Sequence, residues 1–271
     1  MARGRIMDLT TPKVMGILNV TPDSFFDGGF YLRESDLLKQ AEIMIRDGTD
    51  FIDIGGYSSR PGAEDISPEE EWNRVMPAIR AIKKEFPSTL LSIDTFRSQV
   101  AHQAIGDGCD MINDISAGQA DSEMFATVSS LKVPYVIMHM RGNPKTMNQL
   151  AHYDNLTGEI IEYFHKIIYP LQQAGVKDIL VDPGFGFAKT VDQNFELLKN
   201  LDHLHVLAKP LLIGLSRKSM IWKTLGTTPE FALHGTTSLN TIALLKGAAI
   251  LRVHDVKEAW ETIRLVEKMK L

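Results

Sequence analysis

Met15-Gly16-Ile17-Leu18-Asn19-Val20-Thr21-Pro22-Asp23-Ser24-Phe25-Phe26-Asp27-Gly28-Gly29 begins as an apolar run and turns abruptly to Asn, Thr, Pro, Asp and Gly. The apolar part reads as a buried strand, and the turn-forming residues read as a long loop leaving its end. In an α/β protein, the loop after a strand is where functional side chains collect.

The same event recurs down the chain. A first strand over Lys13–Asn19 is followed by strands over Phe51–Ile54, Leu90–Asp94, Met111–Ile115, Tyr135–His139, Ile179–Asp182, Leu211–Ser216 and Ala249–Val253. Helical patterns separate them. Ser67, Pro68 and Glu70 supply a cap, a first-turn proline and a capping-box partner, and Thr190 with Gln193 forms a second box. Between the seventh and eighth strands a helical region is interrupted near Gly226 and Pro229, and Phe231–Lys246 again reads as helical. Eight strands alternating strictly with eight helical segments, at about 34 residues per unit, predict an α/β fold: a closed (β/α)8 TIM barrel. Residues 1–271 read as one domain. An open doubly wound sheet is the alternative, but its Gly-rich dinucleotide loop is missing after the first strand.

Composition narrows the function. Hydrophobic residues make up 44% and charged residues 23%, with a net charge of -5, which disfavours a nucleic-acid partner but not a local anion pocket. The single cysteine, Cys109, rules out an intrachain disulfide and reads as inert packing. No apolar run reaches membrane-spanning length, and the basic stretch Met1–Asp8 has no apolar segment after it. No membrane association is expected, and the expected location is cytoplasmic.

The strand ends read, in order, Asn19, Asp53, Asp94, Asn113, His139, Asp182, Ser216 and Arg252. Any one of them alone is a common turn-former. Eight in register on parallel strands would converge on one barrel mouth. Asp94, Asn113 and Asp182 are short acceptors suited to a flat heterocycle presenting N–H groups. Lys218 either donates to the same ring or is a solvated helix-start lysine. Arg252 suits a phosphate or carboxylate, and with Asn19 and Arg60 it makes an anion subsite able to take a metal-bound diphosphate. His254, two residues on, shares that side if the strand continues, or is a hydrogen-bonded structural histidine. His139 reads more readily as structural than as a base. Ser216 and Ser219 lack a nucleophile elbow. No metal cage is visible, but a magnesium ion held mainly by phosphates needs few protein ligands, and Asn19 can be one.

These motifs resemble those of the dihydropteroate synthase family. The resemblance rests on Gly16–Phe25, Asp53–Gly62, Ser92–Thr95, Asn113–Ser116, Met138–Gly142, Asp182–Phe187, Ser216–Ser219 and Arg252–Val256, in that order, and spans about Val14–Val256. It implies a TIM barrel and a transferase that condenses (7,8-dihydropterin-6-yl)methyl diphosphate with 4-aminobenzoate, with magnesium as cofactor and a homodimer as the assembly. By position, Asp94, Asn113, Asp182 and Lys218 resemble the pterin-binding set. Asn19, Arg252 and His254 resemble the diphosphate set, joined by Arg60, with Asn19 at the metal. Phe25 and Asp27 of the first loop, and Ser59, Arg60 and Pro61 of the second, resemble elements that close over the aminobenzoate, with Phe187, Lys218 and Ser219 lining that subsite. The resemblance assigns catalysis to Asp94, Lys218, Asn19, Arg252 and His254. Tyr57 stands where the family more often has Glu, and Ser59 replaces the usual Thr but keeps the hydroxyl. Two other outcomes remain open. A pterin-binding corrinoid methyltransferase would not need Arg252, His254 or Ser216–Ser219, and a non-catalytic pterin-binding paralogue would be expected to have damaged loops.

Overall fold

The computed structural model describes residues 7–21, 34–58 and 65–269. Eight parallel strands close into a barrel in chain order. They are β1 (Lys13–Asn19), β2 (Phe51–Gly55), β3 (Leu90–Asp94), β4 (Met111–Asp114), β5 (Tyr135–Met138), β6 (Ile179–Asp182), β7 (Leu211–Ile213) and β8 (Ala248–Val253). The ring closes through β1 against β8, where Met15 pairs with Arg252. The described α-helices are α1 (Glu34–Arg46), α2 (Pro68–Glu85), α3 (Ser98–Gly106), α4 (Met124–Leu131), α5 (Leu156–Gln173), α6 (Val191–Lys199), α7 (Ser219–Thr224), α8 (Leu233–Leu245) and α9 (Val256–Met269), with short 3-10 turns at Met147–Leu150, Leu201–Leu207 and Pro229–Phe231. Both α7 and α8 lie between β7 and β8, on either side of the break expected near Gly226 and Pro229.

Each strand is buried on both faces, which is why its sequence is almost continuously apolar. Side chains on a strand alternate faces, so residues two apart share one. Met15, Phe51, Met111, Val136, Leu180, Leu212 and Ile250 pack together as an inner cluster that plugs the barrel. Their neighbours, including Val14, Ile52, Ile112, Ile137, Val181 and Leu251, join the larger cluster shared with the helices.

Caps set the helix starts. Ser67 accepts from the Glu70 amide at 3.1 Å. Thr190 and Gln193 make the reciprocal pair that their spacing predicts. Three strands stop earlier than expected. β4 ends at Asp114 rather than Ile115, because the Asp114 carboxylate accepts the Ser116 and Gly118 amides at 2.7 Å and curls the chain into a turn. β5 ends one residue before His139. β7 ends at Ile213 rather than Ser216, and the chain then turns through Arg217, whose φ is 56°. Among the described residues, no helix is long and apolar enough to cross a membrane.

Candidate active site

Strand alternation carries the inner face from the apolar plug to a polar layer. Two residues beyond Phe51, Met111, Leu180 and Ile250 stand Asp53, Asn113, Asp182 and Arg252. Four beyond Met15 and Leu90 stand Asn19 and Asp94. Gly55 pairs in register with both Asn19 and Asp94. A Cβ at Gly55 would lie 3.4 Å from Asn19 Oδ1 and 3.5 Å from Asp94 Cβ, so glycine leaves room for the two polar side chains to approach over β2.

One charged network occupies this layer. Arg252 donates through Nε to Asp53 Oδ2 and through Nη2 to Asp94 Oδ2, each at 2.6 Å. Asn113 Nδ2 donates to the same Asp53 oxygen at 3.0 Å. Asp53 is fully buried, whereas the side chains of Arg252 and Asp94 keep 20% and 23% of their exposure toward the mouth. Burial pushes the Asp94 carboxyl up to about 7, against the pull of Arg252, and the charge of Asp53 adds to the rise. Burial alone would lower the Arg252 pKa, but Asp53 and Asp94 outweigh it and hold the guanidinium charged.

The loop after β6 forms the opposite wall. Asp182 Oδ1 accepts the Gly184 amide at 2.7 Å. Burial raises the Asp182 carboxyl, opposed by the Lys218 charge. Lys218 donates Nζ to the Phe185 carbonyl, and its ammonium lies 4.9 Å from the centre of the Phe187 ring. Burial lowers the Lys218 amine to about 8, with Asp182 resisting and Arg252 adding to the fall. The missing side chain at Gly214 makes space here, since a Cβ would lie 3.8 Å from Lys218 Nζ and 4.0 Å from Asp182 Oδ2. Arg217, in a left-handed conformation, is tied to Asp255 through Nε and Nη2 at 3.0 and 2.5 Å, and this turn sends the next residue, Lys218, inward.

Sequence reasoning missed two groups. Asp53 stood among the strand ends but was not assigned to the site. The two-residue spacing from Phe51 was the signal that places it inside. Lys189 had no sequence signal. Its buried amine reaches His139 Nδ1 and the Gly184 carbonyl at 2.9 Å and the Phe187 carbonyl at 3.0 Å. Burial drives the Lys189 pKa well down, against the attraction of Asp182. Either protonation state satisfies all three contacts. An ammonium donates three times, whereas a neutral amine donates twice and accepts from an Nδ1–H tautomer.

Several expected members are placed differently. His139 lies one residue out of phase with the inner face and packs edge-on against Tyr163 of α5 at 4.8 Å, so it does not join the mouth. Burial, then Lys189, holds it well below the ordinary histidine pKa, in keeping with the structural alternative. Ser216 lies beyond β7, with Oγ 3.0 Å from His254 Nδ1 and accepting the His254 amide at 3.1 Å. β8 ends at Val253, so Ser216 rather than strand pairing holds His254. Ser219 begins α7 immediately after Lys218. Phe25, Asp27, Ser59, Arg60 and Pro61 lie outside the described residues. Tyr57 packs edge-on to Phe96 at 5.0 Å, and the Arg97 guanidinium lies 5.3 Å from its ring, so a neutral aromatic meets that cation. Cys109 is buried, and burial raises its thiol pKa, as inert packing requires.

The arrangement is a cup with acceptors and one half-buried lysine, Lys218, toward its floor and a guanidinium on its wall. It can hold a flat ring bearing N–H groups and an anionic tail. Among the described residues, no cluster of three or more His, Cys, Asp or Glu side chains could cage a metal. The Asn19 amide oxygen at the rim is a suitable hard ligand for an ion that keeps phosphate and water oxygens.

Comparison with known proteins agrees with this geometry. The family described as pterin binding enzyme matches residues 15–254. The dihydropteroate synthase of Escherichia coli (strain K12) is 44% identical over 268 residues, covering 98% of this chain and 94% of that protein. The Yersinia pestis dihydropteroate synthase, solved with a sulfonamide drug complex, superposes with a TM-score of 0.93 at 41% identity, covering 100% of this chain and 98% of that one. The Xanthomonas albilineans dihydropteroate synthase, solved with 7,8-dihydropteroate, gives 0.88 at 35% identity, covering 99% and 97%.

Proposed function

The chain belongs to the pterin binding enzyme family, among its dihydropteroate synthases, and we propose that it joins (7,8-dihydropterin-6-yl)methyl diphosphate to 4-aminobenzoate with release of diphosphate. The observation that carries this reading is the meeting of Asp94, Asn113, Asp182, Lys218 and Arg252 in one barrel mouth. The product bound by the Xanthomonas albilineans relative joins a pterin to an aminobenzoate, which supports both substrates.

Asp94, Asn113 and Asp182 accept from the ring N–H groups, and Lys218 donates to a ring acceptor. Arg252 and His254 take the diphosphate. Asn19 would hold a magnesium ion whose charge, when bound, neutralises the departing diphosphate. The bond between the methylene carbon and the diphosphate oxygen breaks first. The electron pair leaves with diphosphate, and the cation spreads into the pterin ring beside the Asp94 carboxylate. The aminobenzoate nitrogen then bonds to the methylene carbon and loses its proton to water. No protein nucleophile is needed. Phe187, Ser219 and Lys218 line the aminobenzoate side, with Phe25, Asp27, Ser59, Arg60 and Pro61 assigned to the loops that shield it.

A cytoplasmic location and a homodimer belong to the same reading. Exposed apolar side chains at Phe231, Ile242, Leu245, Leu265 and Met269, in and beside α8 and α9, favour a self-associating face. Light scattering at twice the chain mass is the expected result, and a monomer at micromolar concentration would reject the dimer. The activity is tested by following diphosphate release from the pterin diphosphate. Release should require both 4-aminobenzoate and magnesium. A folded chain that releases none at saturating substrates would be the non-catalytic paralogue instead.

A further inference from the structure

Arg252 is held at two depths. Its Nε meets Asp53, which is fully buried, and its Nη2 meets Asp94, which faces the mouth. The two contacts have the same length, 2.6 Å, but different consequences if broken. Parting Nε from Asp53 strands a carboxylate away from water, whereas parting Nη2 from Asp94 leaves two groups that water or ligand can reach. Asp53 also fixes the Asn113 amide. Because Nδ2 donates to Oδ2, the Asn113 carbonyl is left to act as an acceptor. Asp53 Oδ1 is buried with no hydrogen-bond partner among the described residues, as is the hydroxyl of Ser92, its register neighbour on β3. That orphaned oxygen costs stability. The partners found for Asp53 are both groups assigned to substrate.

We propose, on the reaction assigned above, that Asp53 is a positioning residue: it anchors Arg252 by Nε and Asn113 by Nδ2 while the Nη2 edge of Arg252 exchanges Asp94 for the substrate diphosphate. The exchange is balanced in charge. The anionic end of the substrate takes over Arg252, and the N–H edge of its ring takes over the carboxylate that Arg252 releases. One internal ion pair thus holds the place of both ends of one substrate. Without the Asp53 anchor, the whole guanidinium would follow Asp94 or the phosphate, and neither end would meet a preset partner.

The test is steady-state kinetics of Asp53→Asn beside the wild type. The KM for the pterin diphosphate should rise about tenfold or more, as expected when one partner of a buried charge pair is neutralised. The KM for 4-aminobenzoate should stay within roughly twofold. In an Arg252→Lys background, Asp53→Asn should add less than about threefold, because its effect passes through the guanidinium. An unchanged pterin-diphosphate KM, an equal rise in both KM values, or a full effect persisting beside Arg252→Lys would each overturn the proposal. Should Asp53→Asn fail to fold, the wild type supplies the measurement. The Arg252 Nε–H resonance, identified by its loss in Arg252→Lys, should stay protected from solvent exchange when diphosphate and magnesium are added, and loss of protection would overturn the anchor. An inactive wild type would instead reject the reaction itself, so the two failures are distinguishable.

Discussion

Replacing Lys189 by Met removes one buried amine and keeps nearly the same length of side chain. Three partners feel the change: His139 Nδ1, the Gly184 carbonyl and the Phe187 carbonyl. The Gly184 carbonyl keeps the Phe187 amide at 3.1 Å, so its loss is partial. His139 is 1% exposed, and its Nδ1 cannot turn to solvent instead. An unsatisfied buried polar group costs about 1–3 kcal/mol, and relief of the amine's own desolvation offsets part of the total. The net expectation is a loss of about 2–3 kcal/mol. For a chain of this size that corresponds to a fall in Tm of about 4–10 °C. Urea unfolding followed by circular dichroism measures it directly. The same loop places the Phe185 carbonyl and the Phe187 ring against Lys218, so the KM for 4-aminobenzoate should rise in the folded variant. A variant within about 0.5 kcal/mol of wild type, with unchanged KM values, would refute the view that Lys189 holds this loop.

Further outcomes follow from the same geometry. The Asp94 carboxyl at about 7 and the Lys218 amine at about 8 predict a bell-shaped pH profile of kcat/KM for the pterin diphosphate. Activity falls on the acid side as Asp94 protonates and on the alkaline side as Lys218 loses its proton; Asp94→Asn should turn over far more slowly and lose the acid limb, and a retained limb would assign it to another group. For stability the sign is the reverse of a carboxylate whose pKa is depressed: burial outweighs the pull of Arg252, the native state binds the Asp94 proton more tightly than the unfolded chain, and this group's contribution is present below pH 3.8 and lost as pH rises through about 7. Arg252→Ala should weaken binding of the pterin diphosphate, measured by calorimetry, by about 2–4 kcal/mol, and weaken binding of the bare pterin much less; equal losses would reject its anion role. Gly184→Ala should destabilise by more than about 2 kcal/mol in urea, since φ is +72° and the new Cβ would lie 2.0 Å from the His139 carbonyl oxygen.

Much of this protein is legible in the order of its residues. Near-continuous apolar strands, each ending in a polar residue, specify a parallel barrel because only a sheet covered on both faces accepts such runs. Strand spacing then carries Asn19, Asp94, Asn113, Asp182 and Arg252 to one mouth. The same rule, applied strictly, would have admitted Asp53 and excluded His139, since residues two apart share a face and neighbours do not. The resemblance to the dihydropteroate synthases came from short motifs in order, and the similarity to known members extends over nearly the whole chain. What only the tertiary structure decided is which polar groups satisfy one another. Arg252 meets Asp53 across 199 positions, and Lys189 meets His139 across 50. Ser216 takes over the hold on His254 where β8 stops. Local patterning encodes which face a side chain is on, because that depends on backbone geometry alone. It does not encode ion pairs and buried hydrogen bonds between distant segments, because these form only when closure of the barrel removes the water that would otherwise satisfy each group.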